Sequence, residues 1–258
     1  MSERLLQELG LGGRVRDGEP GADGLLLVHG LGADATFWNE AFARPGLERY
    51  TLVAVDLPGF GGAPPLRPLT FAAVLDRLAA LVDALAVPVV AVGHSMGGTI
   101  AAALAERAPL RGVVLIEANL LPLGPDVSAS AAGALARTEG RFDAWFDEFA
   151  VQVREHEGDD AGSARYVHTF PLADRETFGE ACSELVAAAA GAAARYAALE
   201  VPRVYVVGSD EEPAHIAFLQ EHGLELERVA DAGHSVMVDQ PEAFYGFLQR
   251  WVAGALSR

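Results

Sequence analysis

The chain has 258 residues, 51% of them hydrophobic, so it is long enough to bury a core as one large domain. Its single cysteine, Cys182, excludes a disulfide framework and a Cys-rich metal site. Nineteen basic residues stand against 36 acidic ones, and the resulting net charge of −17 would repel a phosphate backbone, which excludes nucleic acid as a partner. All of the basic residues are arginine, and the absence of lysine excludes Schiff-base chemistry and a P-loop.

The N-terminal segment, MSERLLQELGLGG, carries charges where a secretory signal would be apolar. No apolar run approaches the roughly 20 residues that span a bilayer. The longest candidate, residues 185–199, is mostly alanine and contains Arg195. We therefore expect a soluble, cytoplasmic protein without a membrane partner.

Short apolar runs then alternate with helical patterns from residue 25 to residue 207, which is typical of an α/β protein with a mostly parallel sheet. Such runs indicate strands that are covered on both faces. A sixth run alternates polar and apolar residues as an edge strand does. The predicted strands are 25–28, 51–55, 87–92, 112–116, 203–207 and 224–230, and helices are predicted over 72–85, 99–107 and 241–256.

Residues 118–199 interrupt this rhythm, because they contain no convincing strand. A structureless loop of that length is improbable, so we predict a helical insertion over 118–199 within a core made of 1–117 and 200–258. One helix of this insertion is expected over 178–199. Another helical stretch carries a mostly aromatic stripe on one face, and packing explains this stripe. A compatible hypothesis is that the insertion forms a lid over a site at the carboxyl ends of the strands. The stripe consists of Phe142, Trp145, Phe146, Phe149 and Val153.

A G-x-S-x-G sequence lies where the run 87–92 passes into a predicted helix. Ser95 stands at its centre, between Gly93 and Gly97. At a strand-to-helix turn this spacing holds the serine in a strained conformation that exposes its hydroxyl, and a Cβ at either glycine would crowd the neighbouring strand and helix. Ser95 is therefore a candidate nucleophile.

With this elbow, the chain resembles the α/β-hydrolase family over nearly its whole length. LLLVHGLGADATFW is similar to the family's HG loop, VAVDLPGFGGA to its D-x-P-G-x-G loop, and DAGHSVMVDQPEAF to its terminal G-H loop. The resemblance implies an α/β-hydrolase fold with Ser95 as nucleophile and His234 as general base. It also implies an oxyanion hole formed by the backbone amides of Leu31 and Met96.

The chemistry of the residues agrees with this assignment, because a serine hydroxyl needs a neighbouring imidazole to remove its proton. His234 follows a glycine on a loop that can reach the elbow. His94 lies beside the nucleophile, and we expect its side chain to point away from Ser95. The resemblance assigns Asp56 a structural role in its own loop. No histidine has metal-ligand spacing, so no metal is expected.

The third member of the triad is ambiguous. The family's usual acid lies three residues after a glycine that ends a strand, in the pattern G-x-x-D. Counted from Gly208, that position is Glu211, and Asp210 lies one residue before it. Pro213 follows sooner than usual, so this loop is shortened. Some members of the family instead use an acid after the preceding strand, which here is Glu117. A carboxylate that ends an apolar strand is costly unless it accepts specific hydrogen bonds. We favour Glu117 over Asp210 and Asp210 over Glu211, and a purely structural loop-capping role for Glu117 stays open.

The sequence thus predicts a cofactor-independent serine hydrolase that cleaves a carboxylic ester, thioester or lactone through an acyl-enzyme. The aromatic stripe suggests a small substrate with an apolar acyl or alcohol portion. A natural-product cyclase or thioesterase would use the same serine, and a non-hydrolytic ligand-binding protein on the same scaffold is the alternative from another class. The sequence does not determine the oligomeric state.

Overall fold

A seven-stranded sheet forms the centre of the protein, whose computed structural model describes residues 3–121, 127–136, 140–209 and 213–257. In chain order the strands are β1 (Gly12–Arg16), β2 (Gly24–Val28), β3 (Thr51–Asp56), β4 (Val89–His94), β5 (Leu110–Ile116), β6 (Arg203–Val207) and β7 (Leu226–Arg228). Within the sheet their order is β1-β3-β2-β4-β5-β6-β7. Only the β1–β3 pair is antiparallel among these described strands. The prediction of a mostly parallel sheet is confirmed.

The edge strand β1 is not predicted by the sequence pattern. Its sequence, GGRVR, has no apolar run, and every residue in it is at least partly exposed. Because β1 pairs with β3 alone, it needs neither two apolar faces nor high β-propensity. Strand β4 differs from its prediction in another way, since it begins only after Pro88, which has no N–H to donate to the sheet.

Helices surround the sheet on both faces. Alternate residues of β2 belong to two separate apolar clusters, Leu26 and Val28 to one and Leu25 and Leu27 to the other. The helices are α1 (Glu3–Glu8), α2 (Asn39–Ala43), α3 (Phe71–Leu85), α4 (Met96–Leu104), α5 (Val127–Leu135), α6 (Arg141–Glu155), α7 (Ala161–Thr169), α8 (Arg175–Ala189), α9 (Ala192–Ala198), α10 (Pro213–Glu221), α11 (Val236–Asp239) and α12 (Pro241–Leu256), with 3-10 turns at Ala35–Trp38 and Phe170–Leu172. None of the described helices is long and apolar enough to cross a membrane.

The helices predicted over 72–85, 99–107 and 241–256 agree with the structure except at the ends of the first two. Helix α3 begins one residue before the predicted 72–85, where the Thr70 hydroxyl accepts a hydrogen bond from Ala73 N at 3.2 Å and caps it. Helix α4 starts at Met96 rather than at residue 99, because the turn at Ser95 leads directly from strand to helix. The single helix predicted over 178–199 is two helices, α8 and α9, separated at Gly191, whose φ of 91° is left-handed.

Helices α5 to α9 lie between β5 and β6 in the chain, and the described part of residues 118–199 contains no strand. The aromatic stripe of α6 packs mainly inside this segment. Phe146 contacts Phe170 and Phe178 with ring centroids 4.8 and 5.4 Å apart, and Trp145 stacks on Phe149 at 5.1 Å. These edge-to-face and stacked contacts hold the helices of the insertion together, in an aromatic group that is continuous with the apolar cluster on one face of the sheet.

Carboxylates of α8 fasten the insertion to the start of α3. Glu180 accepts a hydrogen bond from Leu69 N at 2.9 Å, and Glu184 accepts one from Phe71 N at 2.6 Å. Negative charge at a helix N-terminus is favourable, because the first N–H groups lack helical partners. The insertion is therefore joined to the core through polar contacts as well as through apolar packing.

The strand order reverses between β2 and β4, because β3 lies on one side of β2 and β4 on the other. In open α/β sheets the carboxyl ends of the strands at such a point form a crevice for a ligand. Gly30 and Leu31 follow β2 here, and Ser95 follows β4. The topology therefore brings the HG loop and the elbow serine together.

Candidate active site

Ser95 occupies a strained backbone conformation at the end of β4, with φ of 52° and ψ of −120°. A positive φ is costly for any residue with a Cβ, so surrounding structure must maintain it. The close packing explains the neighbouring glycine, because a Cβ on Gly97 would lie 2.3 Å from the carbonyl oxygen of Val28. The Ser95 hydroxyl makes no hydrogen bond to another described residue. No competing hydrogen bond from the described residues therefore holds this hydroxyl.

A cavity of about 580 Å³ opens beside Ser95, a volume within the range of small-molecule sites. Leu31 and His234 also line it, so the structure brings three of the predicted site residues to one place. The insertion forms much of the opposite wall. Apolar side chains in the lining are Phe37, Val127, Phe149, Val153 and Leu185, and polar ones include Asn119, Gln152, His156, Asp160 and Ser163.

The backbone amides predicted to form the oxyanion hole belong to Met96, which follows Ser95, and to Leu31, which follows Gly30 in the HG loop. A Cβ built on Gly30 would lie 3.1 Å from the Ser95 Cβ, so the loop that carries Leu31 directly contacts the elbow. Neither Leu31 N nor Met96 N donates a hydrogen bond to another group of the described residues. Both donors are thus available to a ligand, as an oxyanion hole requires.

Buried polar side chains hold the loops around these amides. His29 accepts a hydrogen bond from Leu57 N at its Nε2 (3.0 Å), so its Nδ1–H donates to Gly30 O (2.7 Å). Burial lowers the pKa of His29, which keeps this ring neutral. Asp56 accepts hydrogen bonds from Ala35 N at 2.7 Å and from Gly62 N at 2.9 Å. These contacts support the structural role predicted for Asp56.

Glu117 lies behind His234, with its Oε2 3.9 Å from the imidazole Nδ1. The other oxygen, Oε1, accepts a hydrogen bond from Gly208 N at 2.5 Å. The carboxylate therefore both caps the loop after β6 and faces the imidazole, so the two roles weighed from the sequence are compatible. The 3.9 Å separation is an ion-pair distance rather than a hydrogen bond. Asp210 and Glu211, the other candidate acids, lie outside the described residues.

The side chains of Glu117 and His234 differ sharply in solvent exposure. The side chain of Glu117 is 10% exposed and that of His234 is 58% exposed. Glu117 also has a positive φ of 47°, a second strained position beside that of Ser95. Strain of this kind gathers at functional sites, since it persists only where the surrounding structure maintains it.

His94 has a contact that the sequence does not reveal. Its buried Nε2–H donates to the carbonyl oxygen of His234 at 3.0 Å, and its ring stacks on Phe37 with centroids 6.2 Å apart. His94 thus supports the main chain of the loop that bears the candidate base. Its position immediately before Ser95 in the elbow contains no signal for this contact, which depends on a loop about 140 residues further along the chain.

Burial lowers the pKa of His94 well below its ordinary value near 6.5, with the charge of the neighbouring His234 as the next cause. The unfolded chain therefore takes up a proton on this ring below about pH 6.5, while the folded chain does so only at much lower pH. The free energy of unfolding should fall as the pH drops from 7 to 5.5, by at most about 1.4 kcal/mol per pH unit from this group.

The check compares urea unfolding at pH 7.0 and 5.5 for the parent chain and for His94→Gln, in which an amide can still donate to His234 O. The variant should lose less stability over this interval than the parent. A part of the slope should persist, since the pKa of the buried His29 is lowered as well. Identical slopes in the two proteins would contradict a neutral buried His94.

The chain is similar in sequence and fold to known proteins. Residues 25–247 match the alpha/beta hydrolase family. The chain belongs to this family. The match covers most of the chain, including the elbow, the HG loop and the His234 loop, and it confirms both the resemblance and the fold class that the sequence predicted.

Two curated relatives show how far the similarity reaches. The hydrolase is 30% identical over 248 residues to the pimeloyl-[acyl-carrier protein] methyl ester esterase of Neisseria meningitidis serogroup B, covering 90% of this chain and 93% of that protein. It is 41% identical over 106 residues to the dihydrolipoyllysine-residue acetyltransferase component of the acetoin cleaving system of Cupriavidus necator, which covers 40% of this chain and only 28% of that protein.

Among solved structures, a putative aryl esterase from Burkholderia cenocepacia superimposes with a TM-score of 0.75 at 23% identity, covering 96% of each chain. This likeness shows the shared fold. The family match and the similarity to the methyl ester esterase, which extends over 93% of that protein, identify the chain as an esterase-like hydrolase. No group of three or more His, Cys, Asp or Glu side chains in the described residues could hold a metal ion.

Proposed function

We propose that this hydrolase cleaves a carboxylic ester, thioester or lactone of a small molecule through an acyl-enzyme on Ser95, without a cofactor. The observation that carries the proposal is the strained Ser95, facing a cavity that also contains His234, with Glu117 behind the imidazole. The similarity over 93% of a methyl ester esterase supports ester chemistry. A cytoplasmic location belongs to the same proposal.

In the proposed first half-reaction, Ser95 Oγ attacks the substrate carbonyl carbon while His234 takes the hydroxyl proton. The carbonyl oxygen becomes an oxyanion, and the N–H groups of Leu31 and Met96 stabilise it. When the tetrahedral intermediate collapses, the bond to the alcohol or thiol breaks and His234 donates its proton to that leaving group. The acyl group stays on Ser95.

In the second half-reaction, water attacks the acyl-enzyme while His234 takes one of its protons. The intermediate collapses to release the carboxylic acid, and Ser95 Oγ regains its proton from His234. Glu117 stabilises the imidazolium that forms in each step. This role follows from its low exposure and its position 3.9 Å from Nδ1, since a charge in such surroundings interacts more strongly than one in water.

The cavity supports an apolar acyl or alcohol portion, because Phe149, Val153 and Leu185 of the insertion face it. We therefore propose that residues 118–199 act as a lid on a core formed by 1–117 and 200–258. An apolar wall of this kind binds the substrate and limits access of water to the oxyanion. Hydrolysis of p-nitrophenyl esters of increasing chain length, beside acyl thioesters, measures how large a group the cavity accepts.

A fluorophosphonate probe tests the proposed nucleophile, because an activated serine attacks its phosphorus much faster than an ordinary hydroxyl group does. The purified chain should be labelled at one residue, and Ser95→Ala should abolish the labelling. Ser128→Ala is the matched control, since Ser128 lies in the same cavity and is buried. This variant should still be labelled to the same stoichiometry. Absence of labelling in the parent chain would favour a non-hydrolytic binding protein.

A further inference from the structure

The position of the His234 imidazole depends strongly on its main chain, because none of the described residues forms a hydrogen bond with the ring, which packs against the His94 ring with centroids 4.8 Å apart. The His234 side chain is 58% exposed, and the carboxylate of Glu117 lies beyond hydrogen-bond distance. Two buried or half-buried side chains hold the adjoining main chain instead. His94 donates to His234 O, and Asp239 Oδ2 accepts a hydrogen bond from Gly233 N at 3.1 Å.

Asp239 also binds a second segment. Its Oδ1 accepts a hydrogen bond from Gly162 N at 2.8 Å, in the first turn of α7. One carboxylate therefore joins the insertion to the loop that carries the candidate base. A carboxylate that accepts backbone N–H bonds with both oxygens is held in a defined orientation, and such charge-assisted bonds are stronger than neutral ones.

The packing around this carboxylate leaves little space. A Cβ on Gly162 would lie 2.3 Å from the Ser235 Cβ and 3.2 Å from Asp239 Oδ1, so α7 is pressed against the residue that follows His234. Burial raises the pKa of Asp239, the bond from Gly162 N opposes this shift, and the nearby Asp160 adds to it. Such an environment is unfavourable for an acidic side chain unless its backbone bonds are retained.

We propose that Asp239 is a positioning residue, which sets the place of His234 by fastening Gly233 to the first turn of α7. It touches neither the substrate nor the reacting atoms. This inference rests on the proposed function, because it assumes that His234 activates Ser95. It predicts that loss of the carboxylate slows the attack by Ser95 more than it weakens substrate binding.

The test measures the second-order rate constant of fluorophosphonate labelling, together with kcat and KM for a p-nitrophenyl ester. In Asp239→Ala the labelling rate and kcat should fall at least about ten-fold, while KM changes by less than about three-fold. Asp239→Asn keeps one acceptor oxygen and should lose less. The matched control is Asp231→Asn, which removes a charge from the same loop at an exposed position whose φ of 57° suits asparagine.

Each outcome decides between distinct explanations. If Asp239→Ala is labelled as fast as the parent, Asp239 does not position His234. An equal loss in Asp231→Asn would show that charge near the loop matters and that the two backbone bonds do not. If Asp239→Ala does not fold, as judged by circular dichroism, the near-isosteric Asp239→Asn carries the decision. A parent chain that is not labelled at all would contradict the proposed function instead.

Discussion

Replacing Ser95 with alanine is expected to lower kcat for an ester substrate by at least about 10⁴-fold, and His234→Ala is expected to cost a similar factor. In the proposed mechanism the serine supplies the electron pair that attacks the carbonyl carbon, and the imidazole removes its proton in the same step. KM should change little if, as proposed, the substrate is bound by the apolar walls of the cavity, which neither substitution removes. Steady-state kinetics of the purified variants provide the measurement.

The double variant distinguishes a shared step from two separate contributions. When two groups act in one proton transfer, the effects of replacing them on kcat are strongly non-additive. The double variant Ser95→Ala/His234→Ala should therefore have nearly the same kcat as either single variant. His168→Ala is a suitable control, because this histidine is exposed on α7 and does not line the cavity. Multiplicative losses in the double variant would show that Ser95 and His234 do not work together.

The second large effect is expected at Glu117, where the change to glutamine should lower kcat by about 10²- to 10⁴-fold. The amide can still accept the hydrogen bond from Gly208 N, so the loop keeps its cap. It has no charge to stabilise the imidazolium, and its N–H₂ group would face Nδ1 in place of an acceptor. Asp210→Asn should cost much less, because Asp210 belongs to the acidic run Asp210-Glu211-Glu212, a kind of sequence that is usually solvated.

Both variants should be compared at matched folding, checked by circular dichroism, because Glu117 also supports the end of β5. Near-normal turnover of Glu117→Gln, together with an inactive Asp210→Asn, would assign the acid to the loop after β6. The preference for Glu117 would then be wrong. An intermediate loss in both variants would indicate that the two carboxylates share the role.

The sequence predicts the fold well where burial dictates composition. Strands β2 to β6 are apolar because helices cover both faces of the sheet, and their runs are visible in the sequence. Strand β1 escapes prediction since an edge strand that pairs on one side needs no such run. The break between α8 and α9 escapes it as well, because a single glycine in an alanine-rich stretch has several possible conformations.

The candidate site also has parts that the sequence predicts and parts that it does not. The elbow and the HG loop are local in the sequence, since their chemistry depends on glycines placed within a few residues of Ser95 or Leu31. The distance between Glu117 and His234 is not local, and neither is the contact from His94 to His234 O. Each joins segments that are far apart in the chain. They meet because β4, β5, β6 and β7 lie side by side in the sheet, and His234 follows β7.

By itself, then, the sequence determined the fold class through its apolar periodicity and pointed to the elbow serine through its glycine spacing. Its motifs resemble those of the α/β hydrolases, and this resemblance indicated the family, because such motifs are read along the chain. Tertiary structure alone decided which groups surround the imidazole. It placed Glu117 behind the ring, His94 under its carbonyl, and Asp239 between the His234 loop and α7. The physical reason is that a hydrogen bond or an ion pair depends on distances in space, which the order of strands and the docking of the insertion establish.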